Sequence, residues 1–299
     1  MVHPPRRMTV LEVLRLSTGY LEEKGIESPR LTAEILLAHL LGCQRIDIYL
    51  WFDRPMEEHE LATMRRYLRC RTDGIPVDYI IRKAEFYGLS LLVDPRVMIP
   101  RPETEVLVEK VLGLVEECTD GPNGREGFLF LELGTGSGAI SLAILNQLPG
   151  SHAVATDISL GALRVACANA LALELSYRFR PILGDLYQPI RGNGRFDLIV
   201  SNPPYVSDGE IDSLPREVRE HEPRVALTAG PDGLSFIRRI VEGAGDKLKP
   251  GGLLGLEIGY RQGGEVVELV NGQRDLQLIA LEKDLNGIER IVLARKEEG

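Results

Sequence analysis

Cysteine is scarce. Cys43, Cys70, Cys118 and Cys167 are the only four in 299 residues, and no two form a Cys-x-x-Cys pair. A zinc site or a disulfide framework is therefore not expected, and reduced thiols fit a cytoplasmic protein. Long apolar runs are missing too: no stretch approaches the roughly 18 residues of a membrane span. In the opening MVHPPRRMTVLEVLRL, Glu12 and Arg15 interrupt the apolar residues at a helical period, so the basic start is not followed by a signal-peptide core. No internal repeat or low-complexity segment is visible. Positive charge is in deficit. The formal net charge is -9; residues 1–90 balance 13 basic against 13 acidic side chains, so residues 91–299 carry the whole excess. An extended nucleic-acid surface normally needs a basic stripe, and stable nucleic-acid binding is not expected. One basic cluster, Arg65, Arg66, Arg69 and Arg71, stands out. It reads as a solvated helix face or as a docking patch for a macromolecular partner.

What is present falls into two rhythms. Residues 1–74 predict a small helical bundle. Thr9 and Glu12 make a capping-box pattern ahead of a helix from about residue 10. SPRLTAEILLAHLLG offers Ser28 as N-cap, Pro29 at the first helical position and Gly42 as a stop. MEEHELATMRRYLRCR starts acidic and ends basic, which suits the helix dipole. Residues 75–100 change character, with two short alternating runs around Gly88, and predict a β-hairpin linker. A helix then opens near Pro102. From residue 128 to the end, seven strand-like segments alternate with helical ones, the pattern of a parallel sheet covered on both faces. The last two strands are joined only by Leu285, Asn286 and Gly287, too short for a parallel crossover, so the seventh strand is expected to run antiparallel.

The first strand of this series ends in Glu132-Leu133-Gly134-Thr135-Gly136-Ser137-Gly138. Glycines there allow a tight turn and close approach to a ligand, and the next helix offers free N–H groups. Asp157 ends the second strand, 19 residues after Gly138, where an acceptor for ribose hydroxyls is expected. The loop alone leaves the ligand open, because Gly134, Gly136 and Ala139 also fit a dinucleotide fingerprint.

The tip of the fourth strand narrows the choice. It ends in Asn202-Pro203-Pro204-Tyr205, beyond the carboxyl edge of the sheet and beside the glycine loop. Asn202 and Pro203 each precede a proline, which holds both extended and fixes the direction of the Asn202 side chain and the Pro203 carbonyl. An amide or amino NH2 needs two acceptors, which these groups supply, while Tyr205 can cover the substrate's flat face. Together with the antiparallel seventh strand, this points to methyl transfer from S-adenosylmethionine to a planar nitrogen, with no metal required. The rival readings are adenine-N6 methylation of DNA or RNA and a non-catalytic nucleotide-cofactor-binding module.

The motifs SPRLTAEILLAHLLG, IPRPETE, LELGTGSGAISLAI, ATDIS, GDLY, SNPPYV and KDLNGIERIVLAR resemble, over nearly the whole chain, the HemK/PrmC family of protein-(glutamine-N5) methyltransferases. The resemblance implies a class I (Rossmann-like) methyltransferase domain over residues 101–299, joined by the 75–100 linker to an N-terminal substrate-recognition domain. It implies cofactor contacts at Gly134, Thr135, Gly136, Ser137, Gly138, Asp157 and Asn202. A further contact falls at Asp185 and Leu186; some members carry tryptophan where this chain has Leu186. It implies a glutamine site at Asn202, Pro203, Pro204 and Tyr205, and as substrate the Gly-Gly-Gln glutamine of class 1 peptide chain release factors. Thr228-Ala229-Gly230 departs from the family, where a second glycine is expected.

Overall fold

The structure is a computed structural model that describes residues 8–118 and 127–298. The chain folds as two compact units, one of Met1–Arg82 with Pro215–His221, the other of Lys83–Leu214 with Glu222–Gly299.

The first unit is helical: α1 (Val10–Glu23), α2 (Pro29–Leu41), α3 (Asp47–Leu50), α4 (Glu58–Thr72) and α5 (Val77–Ile81). The capping box is present at α1: the Glu12 amide donates to Thr9 Oγ1, and the Thr9 amide donates back to the Glu12 carboxylate at 2.9 Å. Pro29 opens α2 and Gly42 closes it at φ 64°. Ser28 does occupy the N-cap position, but in the left-handed region at φ 49°, and its side chain caps nothing. The helices bury Leu14, Leu21, Leu36, Leu37 and Met64 against one another. The basic cluster on α4 is partly spoken for. Arg71 donates to the Ile75 carbonyl and pairs with Glu217 at 2.8 Å, and Arg65 pairs with Glu58.

The second unit begins with a hairpin, β1 (Ala84–Phe86) and β2 (Leu89–Leu91), turning through Tyr87 at φ 48° and Gly88 at φ 74°. Two successive positive φ values match the right-handed twist of the strands. The stretch read as a linker is thus divided: α5 belongs to the helical unit, and the hairpin buries Phe86, Leu89 and Leu91 in the core of the larger one. There follow α6 (Pro102–Cys118), β3 (Leu129–Leu133), α7 (Ala139–Gln147), β4 (His152–Asp157), α8 (Leu160–Ala172), β5 (Phe179–Leu183) and β6 (Phe196–Ser201). Next are α9 (Arg216–His221), which joins the helical unit, then α10 (Ser235–Lys247), β7 (Leu248–Glu257), α11 (Gly263–Asn271), β8 (Leu276–Lys283) and β9 (Glu289–Lys296).

The sheet order is β5-β4-β3-β6-β7-β9-β8. The strands from β5 through β7 pair in parallel, and β9 pairs antiparallel with both β7 and β8. Side chains alternate between faces, as a pleated strand requires. Phe130, Leu198 and Val200 enter the layer formed with α6 and α7, while Leu131, Ile199 and Leu254 enter the layer formed with α10 and α11. This doubly wound class I architecture brings the carboxyl ends of β3, β4, β5 and β6 to one edge.

Candidate active site

The loop after β3 is held by its own polar wiring. The amides of Gly134 and Thr135 both donate to the Thr156 carbonyl, at 2.9 and 3.0 Å, which joins the loop to the end of β4. Glu132 is buried beneath it. Its Oε2 accepts the Thr135 hydroxyl at 2.6 Å and the Ser141 amide at 3.2 Å, together with the Ser141 hydroxyl. Burial pushes this carboxyl up to about 7, against the pull of those hydrogen bonds. Asn169 of α8, also buried, donates to the Ser137 carbonyl at 2.9 Å and exchanges hydrogen bonds with the Leu92 backbone. Neither Glu132 nor Asn169 was singled out from the sequence as a support of the loop. Only long-range pairing gives them that role.

The three loop glycines differ. Gly134 and Gly136 sit at φ 73° and 55° with open space where a Cβ would point. Gly138, at φ 84°, is crowded: a Cβ there would lie 3.1 Å from Leu142 Cδ1 and 3.2 Å from Ala166 Cβ. It permits α7 to pack on α8. Asp157 anchors the facing wall, its Oδ2 accepting from the Gly136 amide at 2.9 Å and its Oδ1 from the Ser159 amide at 2.8 Å. Burial raises its pKa and the two amides oppose that shift.

One cavity runs along this edge. Gly134 to Ser137, Asp157, Asp185, Leu186 and Asn202 to Pro204 all line it, with apolar walls from Ile158, Val225 and Phe236. Gly138 and Tyr205 lie beside the cavity and not on its wall. Asp185 turns to Arg239, accepting from it at 2.6 Å. Leu186 is buried and held at φ 46°. A left-handed non-glycine residue costs about 1–2 kcal/mol, and here that conformation accompanies a place on the cavity wall. The lining suits a nucleoside carrying an amino-acid tail: a carboxylate with lone pairs left over for hydroxyls, a loop open at Gly134 and Gly136 to close approach of a ligand, and an apolar slot for a base. Among the described residues no group of three or more His, Cys, Asp or Glu is placed to hold a metal ion.

The tip beyond β6 is fastened from several sides. The Ser201 hydroxyl donates to the Leu133 carbonyl at 2.7 Å. Asn202 Nδ2 donates to Thr104 Oγ1 at 3.0 Å; the Thr104 hydroxyl donates to Glu257 Oε2 at 2.6 Å; and the Tyr205 hydroxyl donates to Glu257 Oε1 at 3.3 Å. Glu257 is 1% exposed, and burial lifts its carboxyl to about 7 while Thr104, Arg290 and Tyr205 pull it down. Burial also raises the Tyr205 phenol. Gln262 donates to the Tyr205 carbonyl at 3.0 Å, and Gly233 passes so close that a Cβ would lie 2.4 Å from that same oxygen. Arg101 of the IPRPETE segment pairs with the buried Glu222. Ala229, where a glycine is expected, is buried without a positive φ, its amide donating to the Val206 carbonyl at 2.9 Å. Thr104 and Glu257 are 153 residues apart, and nothing in either local pattern marks them as partners.

Comparison with known proteins gives consistent likenesses. Residues 12–81 match the PrmC N-terminal domain, and residues 122–218 match the methyltransferase small domain. The chain is 42% identical over 292 residues to a release factor glutamine methyltransferase of Rhodopirellula baltica, covering 96% of each chain. It is 39% identical over 295 residues to the one of Geobacter sulfurreducens, covering 99% of each. Among solved structures, the hMettl16 catalytic domain in complex with MAT2A 3'UTR hairpin 6 has a similar fold, with a TM-score of 0.53 at 15% identity, covering 81% of this chain and 83% of that one.

Proposed function

The chain belongs to the release factor glutamine methyltransferase family, and from that premise we infer its reaction and the groups that perform it. It transfers a methyl group from S-adenosylmethionine to the side-chain amide N5 of a glutamine in a peptide chain release factor. The observation that carries the residue assignment is the tip itself. Asn202 has its Nδ2 tied down to Thr104, and its Oδ1 has no protein partner among the described residues.

S-adenosylmethionine supplies an activated methyl on a sulfonium. The protein's task is to present an amide nitrogen to it, and that nitrogen is a poor nucleophile because its lone pair is delocalised. We assign the two acceptors for the substrate N–H groups to Asn202 Oδ1 and the Pro203 carbonyl, both held extended by the prolines that follow. Two such bonds turn the NH2 so that its lone pair can face the methyl; orientation of this kind supplies part of the ~7–11 kcal/mol available in favourable cases. Tyr205 and Pro204 complete the glutamine site. We assign Gly134 to Gly138 and Asp157 to the cofactor, with Asp185, Leu186 and Asn202 on its remaining sides. Gly138 acts there by shaping the loop. The glutamine is that of Gly-Gly-Gln in class 1 release factors, and the helical unit recruits that partner. Such a substrate places the work in the cytoplasm, and no helix among the described residues is long and apolar enough to cross a membrane.

An adenine amino group poses the same two-hydrogen problem, but the -9 excess lies wholly in residues 91–299, against what a polyanionic substrate needs. The test is mass spectrometry of a co-expressed class 1 release factor. A gain of one methyl on the Gly-Gly-Gln glutamine is expected. An unmodified glutamine, or label from S-adenosylmethionine entering DNA or RNA instead, would overturn the reading.

A further inference from the structure

A primary amide can be turned over so that oxygen and nitrogen exchange places with little change in shape. For Asn202 only one of the two orientations can serve. With Oδ1 toward the cavity the side chain accepts from a substrate N–H. With Nδ2 there, donors face donors. The proline after Asn202 fixes the backbone but does not choose the orientation.

The choice is made at the amide's nitrogen end, by Thr104, which stands beside Asn202 on the cavity wall. Asn202 Nδ2 donates to Thr104 Oγ1 at 3.0 Å. Thr104 has one hydroxyl proton, given to Glu257 Oε2 at 2.6 Å, so its oxygen turns only lone pairs to Asn202. The other carboxylate oxygen takes the Tyr205 hydroxyl proton at 3.3 Å. An ionised carboxylate only accepts, so it sets the direction of every hydrogen bond in the chain. Thr104 is 3% and Glu257 1% exposed, which leaves little room for water to substitute for either. We propose that Glu257, acting through Thr104, is the positioning residue that orients the Asn202 amide with its oxygen toward the cavity and thereby selects an N–H-bearing acceptor. This rests on the reading of Asn202 as the group that receives the substrate amide.

Protonation of Glu257 would reverse the logic. A neutral carboxyl can donate to Thr104, whose own proton is then free for Asn202 Oδ1, and the unproductive orientation gains a partner. Glu257 is faced by Thr104 and Glu103 of α6, Tyr205 of the tip and Arg290 of β9, with Arg101 acting on Tyr205. Burial outweighs the favourable members of that set and brings its ionisation to about 7. Turnover should therefore rise as pH passes upward through about 7. Glu132 is lifted to about 7 as well, so Glu257→Gln serves to separate the two: only Glu257's share of the limb should disappear.

The experiment uses the full chain and two readouts. The side-chain NH2 of Asn202 is identified in 15N–1H spectra as the pair lost in Asn202→Ala, and its hydrogen exchange is followed in wild type, Thr104→Val, Thr104→Ser and Glu257→Gln. Losing the acceptor should speed that exchange about tenfold in Thr104→Val, the equivalent of one net hydrogen bond, while Thr104→Ser stays near wild type. In turnover on a release factor, Thr104→Val should lose about tenfold in kcat with little change in either KM, and Thr104→Ser should recover most of it. Unchanged amide exchange in Thr104→Val would overturn the positioning role, and so would altered exchange with wild-type kcat. Wild-type protein that methylates no release factor would refute the proposed function instead, while the exchange readout still judges the orientation of Asn202.

Discussion

Replacing Asp157 with asparagine probes the cofactor wall, because the side chain keeps its shape while losing its charge and one acceptor. In the structure both carboxylate oxygens are already in use, Oδ2 by the Gly136 amide at 2.9 Å and Oδ1 by the Ser159 amide at 2.8 Å. A carboxylate has about four acceptor sites, so lone pairs remain for ribose hydroxyls. Asparagine has one oxygen and cannot serve both amides; a buried N–H left without an acceptor costs about 1–3 kcal/mol. The lost charge-assisted bond to a hydroxyl is worth roughly 1.5–3 kcal/mol. At about 1.4 kcal/mol per factor of ten, cofactor affinity should fall by about 10–150-fold. Titration calorimetry with S-adenosylmethionine measures this, and a thermal melt of the same sample reports the loop's share. A lower Tm with affinity within threefold of wild type would refute the ribose assignment and leave Asp157 as a loop anchor only. Asp157→Ala should weaken binding at least as much, since it serves neither amide.

Gly138→Ala should lower Tm by several degrees. It adds a Cβ 3.1 Å from Leu142 Cδ1 at φ 84°, combining about 1–2 kcal/mol of left-handed strain with about 1–3 of overpacking; an unchanged melt would show that α7 and α8 can shift freely. A chain beginning at Lys83, if it folds, should bind S-adenosylmethionine like the full protein and methylate intact release factor poorly, because the groups that line the cavity all lie in the second unit. Full activity of that chain on the intact partner would show that the helical unit does not recruit it.

Much of the architecture was legible because it follows from local rules. The Thr9–Glu12 capping box, Pro29 and Gly42 mark helix ends with nearest-neighbour chemistry, and the five residues joining β8 to β9 are too few for a parallel crossover. The slot of β9 between β7 and β8 was not legible, since a short connection says that two strands pair but not which of them faces the rest of the sheet. Helices α3 and α5 are too short to show a period. Ser28 has the composition of a cap, but its left-handed backbone turns the hydroxyl away from that use. At the site, Gly134 to Gly138, Asp157 and the Asn202–Tyr205 tip could be found because each is a contiguous motif. Thr104, Glu132, Asn169 and Glu257 could not. Thr104 reads as part of a helix start and Glu257 as the end of a strand, and only the fold brings their oxygens to 2.6 Å. The packing constraint on Gly138 was not legible either, because part of the crowding that excludes a side chain comes from Ala166 on α8.

The most direct test of the tip is single-turnover methylation of a class 1 release factor at saturating S-adenosylmethionine, comparing wild type with Asn202→Ala. Asn202 Oδ1 is assigned a bond that strengthens as the substrate nitrogen leaves planarity, so its loss should appear in the chemical step and not in binding. A fall of about 10²–10³ in the single-turnover rate, with the fold and much of the cofactor affinity retained, is the expected result. A rate within a few-fold of wild type would contradict it and reduce Asn202-Pro203-Pro204-Tyr205 to a rigid turn.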